Sequence, residues 1–157
     1  MMSADKAAGK HATRSERSAA RLAATQALYQ IEMTAGDAGE VITEFIDHRF
    51  GADPETGNDG AHDEIFFADI VHGVLRRQIE IDRALTASLA SGWTLGRIDS
   101  ILRALLRAAA YELKDRKDVP VKVVIDEYVE LAKDFFDGEE PAFVNAVLDR
   151  LAREARG

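Results

Sequence analysis

The chain has no cysteine in 157 residues. Disulfides and thiolate metal sites are therefore excluded, and redox chemistry sets no compartment. Proline is scarce as well: Pro54, Pro120 and Pro141 are the three present. No uncharged apolar run approaches the roughly 20 residues that cross a bilayer. The Ala-, Ser- and charge-rich start has no apolar core of the kind a signal peptide needs. With no sign of membrane or export, the expected location is the cytoplasm.

Catalytic signatures are also missing. The four histidines, His11, His48, His62 and His72, do not pair at metal-ligand spacing, and no H-E-x-x-H or E-x-x-H motif occurs. No glycine-rich loop precedes a helix in the phosphate-cradling pattern, and without strands a dinucleotide-binding reading fails. No nucleophile stands beside a plausible base. An enzyme is therefore the minority reading, and a binding protein the favoured one.

Net charge is −8, which taken alone argues against a nucleic-acid ligand. Its distribution says more. Residues 1–21 hold Lys6, Lys10, Arg14, Arg17 and Arg21 against Asp5 and Glu16, a local +3 that leaves −11 for the remainder. One basic end on an acidic body suits two surfaces, one for an anion and one for a basic partner. An incidental basic terminus is the plainer alternative.

What the chain does contain is helical punctuation. Between Val119 and Leu151, Pro120 suits a first helical position because its missing N–H needs no partner there. Val121, Val124, Ile125, Tyr128, Leu131, Ala132 and Phe135 then follow at three- and four-residue spacing, which makes one apolar stripe. The β-branched run Val121 to Ile125 resembles a strand, but the helical period continues past strand length. Gly138 is placed to close this helix in a left-handed conformation, and Pro141 opens the next, with Val144, Val147, Leu148 and Leu151 facing inward.

Upstream, residues 1–13 are expected to form a flexible basic tail. From Arg14, the residues Ala20, Ala24, Ala27, Leu28 and Ile31 form a helical stripe, with Arg14, Arg17 and Arg21 in a narrow arc beside it. Leu22, Gln26, Tyr29 and Met33 occupy a second face, which suits burial on two sides, a homodimer or a heterologous partner. A short helix follows through Val41, Ile42, Phe45 and Ile46. Gly51 to Asp63 is turn chemistry and is expected to be an exposed loop. Asp63 is the expected cap of one long helix running through Phe67, Ile70, Val74, Ile81 and Leu85 to Leu89. Gly73 inside it marks a close helix–helix approach, since it costs roughly 1 kcal/mol against alanine.

Trp93 is expected as a core ring at a hinge, Ser91 to Thr94. The next helix is predicted from Leu95 to Lys114, with Ala108, Ala109 and Ala110 admitting a close neighbour and Tyr111 and Glu112 packed and hydrogen-bonded. Asp126, Glu127, Glu130 and Asp134 read as a solvated acidic face. The expected architecture is all-α, with subdomains at 14–92 and 93–157.

A binding surface does assemble from these parts. Tyr29, Phe135 and Phe143, with Gln26, Lys133 and Asn145, fall on the first helix and the last two. Unstacked bases suit rings beside basic residues, each stack being worth roughly 1–3 kcal/mol while Arg and Lys hold phosphates. This requires the first helix to lie near the final pair.

Four blocks in register carry a resemblance. They are R-S-E-R-S-A-A-R-L-A-A-T-Q-A-L-Y (Arg14 to Tyr29), L-R-A-A-A-Y-E-L (Leu106 to Leu113), D-V-P-V-K-V-V-I-D-E-Y-V-E-L-A-K (Asp118 to Lys133) and F-V-N-A-V-L-D (Phe143 to Asp149). The chain resembles the NusB family of transcription antitermination factors from about Arg14 to Arg153. The resemblance implies two small packed helical bundles and no enzymatic activity or cofactor. It also implies binding to the single-stranded boxA element of ribosomal RNA leaders, together with the ribosomal protein NusE. Other Nus factors and RNA polymerase would then join through that complex. Arg14, Arg17 and Arg21 correspond to the family's RNA-facing first helix, and Phe135, Phe143 and Asn145 to its later contacts. Phe136, Glu140 and Ala146 depart from the family pattern. With Glu139 and Glu140 near the surface, the isolated chain is expected to bind RNA weakly, the basic partner supplying much of the affinity. A NusB-like module of an RNA cytosine methyltransferase and a helical scaffold are the alternatives.

Overall fold

A computed structural model describes residues 14–50 and 61–157. Among them are seven α-helices and no strand: α1 (Arg14–Thr34), α2 (Ala38–Arg49), α3 (Ala61–Arg76), α4 (Gln78–Ser88), α5 (Ser100–Asp115), α6 (Val121–Phe135) and α7 (Glu140–Arg156). A 3₁₀ turn, Leu95–Arg97, precedes α5. The all-α expectation holds. The basic tail and most of the Gly51 to Asp63 segment lie outside the described residues.

The chain divides into two compact units between Val71 and His72, inside α3; the sequence places its boundary at Trp93. In the first unit, α1 buries Ala20, Ala23, Ala24 and Ala27. Side chains this small let a neighbouring helix come close. Asp37 caps α2 by accepting from Gly39 N at 2.7 Å and Glu40 N at 3.3 Å, which satisfies two otherwise orphaned donors. Phe67 of α3 is the ring at the centre, stacked on Phe45 at 5.8 Å and tilted against Phe50 at 4.9 Å.

In the second unit α5, α6 and α7 pack on one another, and α4 packs on α5 and α7. Leu105, Leu106, Leu113, Tyr128, Leu148 and Leu151 are sealed from solvent, each large apolar chain contributing roughly 1.5–3 kcal/mol. Arg107 holds Asp82 with two parallel bonds of 2.9 and 3.0 Å, tying α5 to α4. Arg156 closes the end of α7 onto the chain after α5, donating to carbonyls of Glu112, Leu113, Arg116 and Val119. Of these, the Leu113 carbonyl lies in the last turn of α5, where a helix end leaves acceptors without an intrahelical partner.

Several expectations are corrected. The predicted long helix is two, because Arg77 (φ −115°, ψ 23°) separates α3 from α4. Helical hydrogen bonds continue on both sides of it, from Arg77 N to Gly73 O and from Ile81 N to Arg77 O. The apolar period therefore runs across unbroken. Arg77 reaches Glu80 at 2.7 Å and Asp115 at 3.1 Å. Helix α3 begins at Ala61, two residues before Asp63. Helix α5 begins at Ser100, because Asp99 caps it through Ile101 N at 2.8 Å and Leu102 N at 3.2 Å. Pro120 is the cap residue of α6, and Pro141 is the second residue of α7. Gly138 is not left-handed. Helix α6 ends instead because Phe136 turns extended, at φ −135° and ψ 141°. Glu127 leaves the acidic face and is 9% exposed. Trp93, expected in the core, is 49% exposed.

Candidate nucleic-acid interface

In the first unit the candidate residues lie along α1. The Arg14 side chain lies outside what the structure describes. The Arg17 guanidinium carbon lies 4.2 Å from the centroid of the Phe66 ring, and that of Arg21 lies 5.1 Å away. Such contacts are worth roughly 0.5–2 kcal/mol apiece. The two arginines differ in access. Arg17 is half-buried, whereas Arg21 is only 2% exposed.

The difference follows from the helix. Arg21 sits between Ala20 and Ala24, whose small side chains bring the neighbouring surface close, so its stem is covered and its head stays over the ring. The spacing of the arginines could not reveal this. Phe66 itself was missed by sequence reading, where it passes as one more core aromatic beside Phe67.

Gln26 and Tyr29 are half-buried farther along α1. Arg49 of α2 donates to Gln26 Oε1 and also lies 5.3 Å from the Phe45 ring. A further cation therefore reaches the same stretch of α1, and nothing in the first-helix pattern announces it. Met33, which closes the second face of α1, is 47% exposed.

In the second unit the candidates gather at the α6–α7 turn. Lys133 and Phe135 end α6, and Phe143 and Asn145 begin α7. Lys133 is exposed and pairs with Glu130 at 2.9 Å. An exposed pair of this kind holds the ammonium only loosely, so it stays available to an anion. Phe135 is half-buried, its ring 6.3 Å from that of Phe136. Phe143 is half-buried against Trp93, at 5.9 Å between ring centroids, and Asn145 is exposed. The turn thus offers two partly open rings, a cation and an amide between residues 133 and 145. No group of three or more His, Asp or Glu residues able to hold a metal occurs among the described residues.

The NusB family model matches residues 18–153. The chain belongs to the NusB family. The transcription antitermination protein NusB of Caulobacter vibrioides is 54% identical over 140 residues, covering 89% of this chain and 94% of that protein. The protein of the same name from Rhizobium johnstonii is 46% identical over 156 residues, 99% of this chain and 98% of the relative. Among solved structures, T. maritima NusB superposes with a TM-score of 0.77 at 30% identity, covering 94% of this chain and 95% of that one. A crystal structure of antitermination factors NusB and NusE in complex with double-stranded RNA has a TM-score of 0.75. At 23% identity, over 88% of this chain and 97% of that one, it speaks to the fold alone. The family fold is therefore the one the four sequence blocks implied.

Proposed function

We propose that the chain is a transcription antitermination factor. It binds boxA-type single-stranded RNA of ribosomal leader transcripts jointly with NusE, and through that complex joins other Nus factors on RNA polymerase. Membership of the NusB family supports this reading, because relatives bearing the antitermination name match 89–99% of the chain. A solved relative's assembly with NusE and RNA is in keeping with the same partner pair. The function needs no catalytic group and no cofactor. Its setting is the cytoplasm, and no described helix is long and apolar enough to cross a membrane.

The observation that carries the RNA half is the pair of partly open rings, Phe135 and Phe143, flanking one turn with Lys133 and Asn145. Bases stack on the rings, and Asn145 reads a base edge. Arg14 and Arg17 hold phosphates, and Gln26 and Tyr29 extend the track along α1. Buried Arg21 acts at short range as positive charge beneath the track, because fields of this kind persist over roughly 8–10 Å.

The test is a salt-titrated binding assay with boxA and scrambled RNA, with and without NusE. The expected result is a boxA preference that sharpens with NusE and an affinity that falls as salt rises. Equal affinity for both RNAs in every condition would overturn the reading.

A further inference from the structure

The end of α3 and the whole of α4 carry a stripe that neither the core nor the RNA-binding residues use. Hydrogen bonds pass through Arg77 on both sides, so the 3.6-residue period runs on from His72 into α4. His72, Arg76, Ile79 and Arg83 then fall within an arc of about 60° at 100° per residue. All four are exposed. Ile79 is 74% exposed, the highest figure for any large hydrophobic residue described.

The arginines of the stripe differ from their neighbours in having no partner. The second unit holds ten arginines, and eight of them donate to a carboxylate or a backbone carbonyl. Arg76 and Arg83 are the other two, and neither has a hydrogen bond or ion pair among the described residues. The carboxylates beside them in the chain are already engaged. Glu80 receives from Arg77 at 2.7 Å, and Asp82 holds Arg107 at 2.9 Å. Two guanidinium groups thus stand about 10 Å apart along the helix, at 1.5 Å per residue, with an exposed isoleucine between them.

An apolar residue with an arginine one turn away on each side matches a helix that repeats the pattern with opposite charge. Arginine is also a charged residue favoured at protein contacts. A single-stranded RNA fits less well. It would satisfy the guanidinium groups, but the stripe has no ring on which a base stacks, and Ile79 would stay in water. A basic partner would be repelled. We propose that the Arg76–Ile79–Arg83 stripe docks an acidic helical segment of another protein, in which carboxylates seven residues apart bracket one apolar side chain. Each carboxylate takes a guanidinium in the two-bond geometry that arginine allows, and the apolar side chain covers Ile79. None of the residues assigned to RNA takes part, so the contact goes beyond the RNA reading and does not rest on it.

The full chain is titrated into three fluorescein-labelled ligands and followed by anisotropy. They are a helical peptide built on Glu-x-x-Leu-x-x-x-Glu, the same peptide with lysine for each glutamate, and boxA RNA. The expected result is saturable binding of the acidic peptide and none of the lysine peptide. Arg76→Ala/Arg83→Ala should weaken the acidic peptide about tenfold and leave RNA affinity unchanged. Ile79→Ala should weaken it about fivefold, for the apolar area left uncovered. Lys122→Ala/Arg153→Ala removes two exposed cations already paired with Asp126 and Asp149, and should leave peptide binding as it was. All these substitutions are at exposed positions, so circular dichroism should show the same helix content throughout. Four results would overturn the proposal: no saturable binding of the acidic peptide, equal loss in both double variants, no response to Ile79→Ala, or loss of RNA rather than peptide in Arg76→Ala/Arg83→Ala. The last would make the stripe a phosphate track.

Discussion

The phenol of Tyr128 donates to Glu112 Oε2 at 2.5 Å across the α5–α6 contact, and both residues are 0% exposed. A carboxylate in that position tolerates burial because donors are aimed at it. Tyr128→Phe keeps the ring and removes the donor. Stability should fall by about 1–3 kcal/mol, seen as a lower urea midpoint at unchanged slope. An unshifted midpoint would show that the hydroxyl contributes nothing.

The close approach at Gly73 gives a second expectation. A Cβ there would fall 2.2 Å from Tyr111 Cε1, and Tyr111 is a buried ring rather than a flexible tip. Gly73→Ala should therefore destabilise by about 1–3 kcal/mol through overpacking, despite alanine's better helix propensity. Combining it with Tyr111→Leu should recover part of the loss, and the double-mutant cycle measures that coupling. Simple additivity would contradict the packing described here.

The two arginines under Phe66 should separate in their effects. Arg17→Ala should weaken binding to all RNAs alike and reduce the salt slope by about 1, while costing roughly 0.5–2 kcal/mol of stability through the lost ring contact. Arg21→Ala should lower stability by about 1–3 kcal/mol, since it strips a buried stem from a packed ring. If Arg21→Ala instead left stability intact and cut the salt slope, its guanidinium would be a direct phosphate contact.

Much of this was legible in the sequence because helical period and apolar burial are the same information. The stripes of α6 and α7, the close approach at Gly73 and the paired roles of Tyr111 and Glu112 all follow from spacing and residue type. The break at Arg77 was hidden, because hydrogen bonds pass through it and the apolar period does not slip. The start of α5 was misplaced for a different reason: Leu95 fits the stripe, while a single carboxylate, Asp99, decides where the helix begins. Trp93 was misjudged because size alone suggested burial, whereas Gly92 before it turns the chain outward. For Arg21, solvent access depends on how close the next surface comes, which its alanine neighbours decide.

Ultraviolet cross-linking of boxA RNA to the full chain, followed by peptide mapping, tests the central claim most directly. That claim is that boxA RNA is bound through the basic helix α1 in the first unit and through the rings of the α6–α7 turn in the second. Adducts are expected in the α1 peptide between Arg14 and Tyr29 and in the turn peptide between Lys133 and Asn145, and both should be lost with scrambled RNA. Adducts confined to one of these peptides, or found only elsewhere, would contradict the account.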